Sequence, residues 1–280
     1  MKQKTDSKFN MNKYWKRLSQ QYLNSDHLSW GSVLYLGMPL WFNKFFDYFQ
    51  KKSFNNLTKN ICFSNKVVLD VGCGIGRWCL LLKKKGSYVV GIDLEKEKLN
   101  KAKADVLLKD IKFKQMSLEK LKFNNETFDF VNSVTVLQHI PYNRQDLAVQ
   151  EICRVTKKGG YISIIELIDM FDDAPHVFPL AYKDWIKKFN NNGCKLIKAM
   201  GCEYTPVLRL LRYLQYLLTR KKTINRKSGK VKISRLNWLI LKIAILVSYP
   251  IESVCVAVCP PRFARHGAFL FLKMSNKYKR

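Results

Sequence analysis

From residue 66 onward, short apolar runs alternate with stretches whose apolar positions recur every three or four residues. The runs VVLDV (67–71), YVVGI (88–92), IKFKQM (111–116), FDFVNSV (128–134) and YISIIEL (161–167) predict strands. The stretches 76–84, 95–107, 118–121 and 144–156 predict helices between them. Strands alternating with helices imply an α/β fold whose mostly parallel sheet is covered on both faces. A helix near 180–192, a strand near 194–200 after Asn192-Gly193 and a last strand GAFLFLKM (267–274) extend the pattern. Upstream, Tyr14, Trp15, Tyr22, Trp30, Trp41, Phe42, Phe45, Phe46 and Phe49 fall at roughly helical spacing and predict two or three capping helices. The organisation expected is a helical cap over 1–60, a core over 61–203, a basic and apolar helical insertion over 204–266, and a last strand with a basic tail over 267–280.

Composition sharpens this picture in two places. The eight cysteines are scattered with no C-x-x-C pair and the four histidines are isolated, so no metal is expected and the thiols read as reduced, in a cytoplasmic setting. The polar N-terminus lacks the apolar core of a secretory signal. The formal charge is +29, and residues 206–280 hold seventeen Lys and Arg against one acid, Glu252. Eight of the twelve arginines lie in that last stretch, so the excess is local. Such a field suits nucleic acid, an anionic membrane face or acidic substrates.

The glycines of VLDVGCGIGRW, Gly72, Gly74 and Gly76, let backbone approach a ligand closely, and the helix that follows offers unpaired N–H groups. Their spacing is G-x-G-x-G, with Arg77 where the dinucleotide fingerprint needs glycine, and no Gly-Lys-Ser/Thr follows for a nucleotide phosphate. Asp70, before the turn, would repel a diphosphate and attract a cationic amino group. Asp93 closes the second strand, where a carboxylate can accept hydrogen bonds from both ribose hydroxyls. A ribose and a zwitterion without phosphate describe S-adenosylmethionine.

These residues resemble the cofactor motifs of class I S-adenosylmethionine-dependent methyltransferases, small-molecule and sugar O-methyltransferases among them. VVGIDL, LKFNNETFDFVNSVTVLQHI and EICRVTKKGGYISIIEL continue the resemblance in order and spacing over about residues 60–200. It implies a Rossmann-like sheet of seven strands, with an N-terminal helical cap and a helical insertion before the last strand. It implies S-adenosylmethionine as cofactor, with Gly72, Gly74 and Gly76 beneath its methionine and ribose part and Asp70 near the amino group. Asp93 would hold the ribose, Leu94 pack on the adenine, and Ser117 and Leu118 read its edge. Where the family often has an acid at that edge, this chain has Ser117.

At the ends of strands four and five stand Gln138-His139 and Glu166. The resemblance implies His139 as general base, with Glu166 orienting it or the acceptor. The competing readings are a His139 that packs on the cofactor or caps a helix, and a Glu166 that binds a backbone N–H. His176 reads as a surface-loop histidine. No Asn/Asp-Pro-Pro-aromatic segment follows strand four and no Pro-Cys is placed for a nucleophile, which disfavours the family's methylation of adenine amino groups and of pyrimidine C5. The acceptor expected is a small molecule, a sugar or a lipid-linked intermediate. RNA methylation and a cofactor-binding regulatory or assembly role without turnover are the alternatives.

The insertion holds "TPVLRLLRYLQYLLTRKK" (205–222) and "RLNWLILKIAILVSYPIESVCVAV" (235–258). The apolar run from Trp238 to Tyr249 is shorter than the ~20 residues of a spanning helix. The two segments read first as cover for the active site or a dimer interface. Peripheral association with an anionic membrane face comes second and an RNA platform third.

Overall fold

The computed structural model describes residues 14–17, 20, 35, 38–170, 174–219 and 235–275. Seven strands form one sheet: β1 Val67–Val71, β2 Tyr88–Asp93, β3 Lys112–Gln115, β4 Phe128–Val134, β5 Thr156–Leu167, β6 Cys194–Cys202 and β7 His266–Lys273. Their order is β3-β2-β1-β4-β5-β7-β6, and only β7 runs antiparallel to its neighbours. Strand order reverses between β1 and β4, so the crevice at their carboxyl ends is where such a sheet holds a ligand. The central strands are apolar on both faces because helices cover both: Val68, Leu69, Val131, Ile162, Ile164 and Ile165 are fully buried.

Helix α1, Leu40–Leu57, buries Phe42, Phe45, Phe46, Phe49 and Phe54, an aromatic stripe at helical spacing laid over the β6–β7 side of the sheet. α2 (Arg77–Lys84), α3 (Lys96–Ala104), α4 (Tyr142–Val155) and α5 (Tyr182–Asn191) connect the strands. α6 (Pro206–Thr219) and α7 (Arg235–Val258) stand between β6 and β7, the place expected for the helical insertion. The capping helices expected around Tyr22 and Trp30 lie outside the described residues.

Three expectations about elements change. Residues 118–121 form a turn and not a helix: Ser117 Oγ accepts the Glu119 N–H at 3.3 Å, and four residues are too few to nucleate. The helix expected over 95–107 stops at Ala104, because Asp105 Oδ1 accepts the Leu107 N–H at 2.9 Å and starts a separate 3-10 turn. The apolar run ending at Tyr249 is part of a longer helix that continues through Pro250, so Leu236–Val258 is long and apolar enough to cross a membrane by length and composition.

Candidate active site

The glycine turn leaves β1 at the reversal crevice. Gly72 and Gly74 adopt φ of +63° and +56°, a left-handed backbone that glycine enters without strain. A Cβ on Gly72 would overlap Val136 Cγ2, from the segment after β4, so the loops from both sides of the crevice are in contact there. A Cβ on Gly74 would meet no atom within 4 Å: the backbone here borders open space.

Asp93 ties the turn to β2. Its Oδ2 accepts the Gly74 N–H at 2.8 Å and its Oδ1 accepts the Glu95 N–H at 2.9 Å. Each oxygen keeps a second lone pair, so the carboxylate can still receive two hydroxyls. Leu94 is half-buried, and its carbonyl accepts Gln115 Nε2 at 3.0 Å. Leu118 is buried and Ser117 is exposed. Both follow β3, whose Met116 N–H bonds the Asp93 carbonyl at 3.0 Å. An apolar side chain, an exposed hydroxyl and a carboxylate therefore share the carboxyl ends of β2 and β3.

Asp70 lies deeper than a ligand-facing group. It is 1% exposed, with Oδ1 accepting from Asn132 Nδ2 at 2.8 Å and Oδ2 from Cys79 Sγ at 3.2 Å. Burial pushes its carboxyl up to about 6, against the pull of those two donors. Its contacts hold β1, β4 and α2 together beneath the turn.

Beyond β4 the chain turns through Thr135, which has φ +56°, and Glu166 organises the next three residues. Glu166 is fully buried; Oε1 accepts the amides of Val136 (3.1 Å) and Leu137 (3.0 Å), and Oε2 accepts that of Gln138 (3.0 Å). Burial raises its carboxyl to about 7, against those three amides and the Ser133 hydroxyl. These bonds go to backbone amides and Ser133, so any hold on His139 passes through the 136–138 backbone.

His139 closes this 3-10 turn. Its Nδ1 lies 2.9 Å from the His176 carbonyl, which can only accept, so Nδ1 carries the proton and Nε2 the lone pair. Burial lowers the ring to about 3, so the imidazole is neutral. Trp15 meets it edge-on at 4.8 Å, and the His176 ring stacks beside it at 5.5 Å and under Tyr14 at 4.5 Å. Lys98 of α3 lies 5.2 Å from the Trp15 ring centre. Residues 14–17 thus bridge the Asp93 side and the His139 side of the crevice. His176, expected as a surface-loop residue, is half-buried and anchors His139.

Sequence reasoning missed a second polar cluster at this end of the sheet. Glu203, fully buried just after β6, accepts Gln50 Nε2 at 2.8 Å and Tyr35 Oη at 3.4 Å, with His266 Nδ1 at 2.9 Å. Burial works to raise its carboxyl, but the charges of His266 and Arg265 and the Gln50 donor overcome that and hold it below its usual value. Gln50 Oε1 in turn accepts Arg77 Nη2 at 3.0 Å, and Arg77 Nη1 bonds Asp47 at 2.5 Å. Arg265 bonds the Tyr35 hydroxyl. Through Arg77, the residue after the last glycine, the turn is fastened to α1. Apart from Arg77 in the motif, none of these residues stands in a recognisable pattern.

Residues 69–164 match a methyltransferase domain family. A ubiquinone biosynthesis O-methyltransferase of Colwellia psychrerythraea is 28% identical over 170 residues, covering 52% of this chain and 67% of that relative. One from Aliivibrio fischeri is 37% identical over 101 residues, 35% of this chain and 42% of the relative. The chain spans only about two fifths of the length of several such relatives. Among solved structures, magnesium protoporphyrin IX methyltransferase from Synechocystis with bound S-adenosylmethionine has a TM-score of 0.53 at 16% identity, over 70% of this chain and 91% of that one. The [4+2]-cyclase SpnF has a TM-score of 0.54 at 15% identity, over 79% and 80%. These likenesses show the fold. Fold, glycine turn and family match together define a class I S-adenosylmethionine-dependent methyltransferase. Residues 69–164 are thus a methyltransferase domain, the activity is S-adenosylmethionine-dependent methyl transfer, and the cofactor is S-adenosyl-L-methionine.

Proposed function

We propose that the enzyme methylates a hydroxyl oxygen of a small organic acceptor, a class that includes sugars and lipid-linked intermediates. The observation that carries this reading is the His139 tautomer: the bond from Nδ1–H to the His176 carbonyl leaves Nε2 unprotonated, met at 3.5 Å by the Gln138 side-chain amide, which an acceptor hydroxyl would displace. The O-methyltransferase names of partial relatives support it.

The crevice fits the cofactor. Open space above Gly74, spare lone pairs on Asp93 and the half-buried Leu94 suit a ribose and an adenine. Gly72, Gly74 and Gly76 would pass beneath the methionine and ribose part, and Leu118 and Ser117 would border the base. Asp70 would act through its charge under the turn. When bound, S-adenosylmethionine supplies an electrophilic methyl carbon on a sulfonium. His139 Nε2 takes the acceptor's hydroxyl proton, and Glu166 holds the backbone that presents the ring. Trp15 and Tyr14 exclude water from the ring.

Transfer of tritiated methyl from S-adenosylmethionine into a fractionated cell extract tests the reading. Label in small-molecule, sugar or lipid fractions as a base-stable methyl ether is the expected outcome; label confined to RNA or protein would overturn it.

A further inference from the structure

We propose that the outer face of α6 and α7 docks the enzyme onto an anionic lipid leaflet, with α7 lying on the surface and not spanning it. This holds whichever acceptor the site takes.

α7 has two unlike faces. Ala244, Ile245, Ser248, Glu252 and Val256 form a buried stripe at helical spacing. On the opposite side Leu239, Ile243, Leu246 and Val254 are 55%, 52%, 61% and 60% exposed. At 100° per residue these four lie roughly half a turn from the stripe. Leu210, Tyr213 and Leu214 of α6, which packs against α7, are also exposed. Single exposed leucines are ordinary; a continuous face of this kind marks a surface that binds something apolar.

Charge selects the occupant. Residues 206–280 carry seventeen cationic side chains and one acid, and that acid, Glu252, is turned inward. Lys242 is exposed beside Leu239 on the apolar face, and Arg262 is exposed four residues beyond the end of α7. A second copy of the chain would bring like charges together, whereas a leaflet of acidic phospholipid meets both the apolar strip and its cationic flanks. Trp41 and Trp238 meet edge-on at 6.2 Å, half-buried, next to Lys242 in a shallow depression; indole rings beside a cation favour the headgroup level.

The buried stripe argues against a span. Glu252 accepts the Tyr204 N–H at 2.5 Å and the Thr205 N–H at 2.6 Å. Crossing the bilayer would strip the carboxylate from both amides and expose it to hydrocarbon. Docked flat, α7 keeps those bonds and offers only its outer face. α6 begins four residues beyond the end of β6, so the leaflet would lie close to the carboxyl ends of the strands, where the crevice opens.

Flotation of the full chain with preformed vesicles tests this, using phosphatidylcholine alone and phosphatidylcholine with phosphatidylglycerol. The chain should float with the phosphatidylglycerol vesicles, less so at high salt, and alkaline carbonate should release it. The triple variant Leu239→Glu, Ile243→Glu, Leu246→Glu should lose about tenfold or more of that binding, while calorimetric S-adenosylmethionine binding reports an intact fold. Should the triple variant misfold, Lys242→Glu with Arg262→Glu decides, with an expected loss of the preference for phosphatidylglycerol. Failure of the wild type to float, unchanged flotation of a folded triple variant or of the charge reversal, or resistance to carbonate would each overturn the proposal. So would a lipid-free dimer that the triple variant splits without any effect on vesicles.

Discussion

His139 donates its Nδ1 proton to the backbone carbonyl of His176 at 2.9 Å, which leaves Nε2 as the acceptor end of the ring. A positioned base contributes about a hundredfold to ten-thousandfold, and a ring held at about 3 is a weak base that belongs at the lower end of that range. Replacing His139 by Ala should therefore lower kcat by about a hundredfold or more and leave S-adenosylmethionine affinity unchanged by calorimetry. Activity near wild type would remove His139 from the chemistry.

The same ring sets a pH dependence. Burial holds it at about 3, so the neutral, proton-accepting form persists well below the ordinary histidine range. A fall in kcat/KM due to this group is expected only near that value, without an inflection around ~6.5. Trp15→Ala wets the ring and should move the inflection up toward ~6.5. The linkage to stability has the matching sign: below ~6.5 the unfolded ring gains a proton that the folded ring refuses, so its contribution to stability declines as pH falls toward about 3. Profiles of kcat/KM against pH for both proteins check the shift.

Glu166 is surrounded by donors: the amides of Val136, Leu137 and Gln138 point at its two oxygens. Glu166→Gln turns one acceptor into a donor facing donors, at a cost of about 1–3 kcal/mol per unsatisfied group. The variant should melt several degrees lower and lose kcat, with a smaller change in cofactor affinity. Thermal denaturation beside single-turnover rates would show it; an unaltered Tm would contradict the buried anchor.

Gly72 and Gly74 should respond differently to alanine. At Gly72 a methyl collides with Val136, so both stability and cofactor binding should fall. At Gly74 a methyl meets nothing in the protein and pays only for the left-handed backbone, about 1–2 kcal/mol. S-adenosylmethionine affinity should nevertheless drop tenfold or more, by about 1.4 kcal/mol or above, because the methyl occupies the space a ligand would take. Calorimetric titration of folded Gly74→Ala decides it.

Much of the scaffold was legible in the chain. The sequence pattern located the strands, most closely the central β1, β2 and β4, because strands buried between two helical layers are apolar on both faces. Errors fell where one short polar side chain redirected the backbone, Ser117 folding the expected 118–121 helix into a turn and Asp105 splitting another. The glycine spacing, Asp70 and Asp93 pointed to the cofactor because that chemistry depends on local backbone and on carboxylates at strand ends.

Partnerships across the fold were not legible. Nothing adjacent to Glu166 in sequence says that its oxygens close on amides some thirty residues earlier, or that His139 is anchored by the carbonyl of His176. The cluster of Gln50, Glu203 and His266 draws on three distant elements, and α7's two faces became distinct only once one of them was packed. Sequence by itself determined the periodicity of the elements and the ligand-turn chemistry, since both act over a few residues. Tertiary structure alone decided which carboxylate is buried among donors, which imidazole nitrogen carries the proton and which apolar face stays open, because burial and hydrogen-bond pairing are properties of residues brought together from far apart.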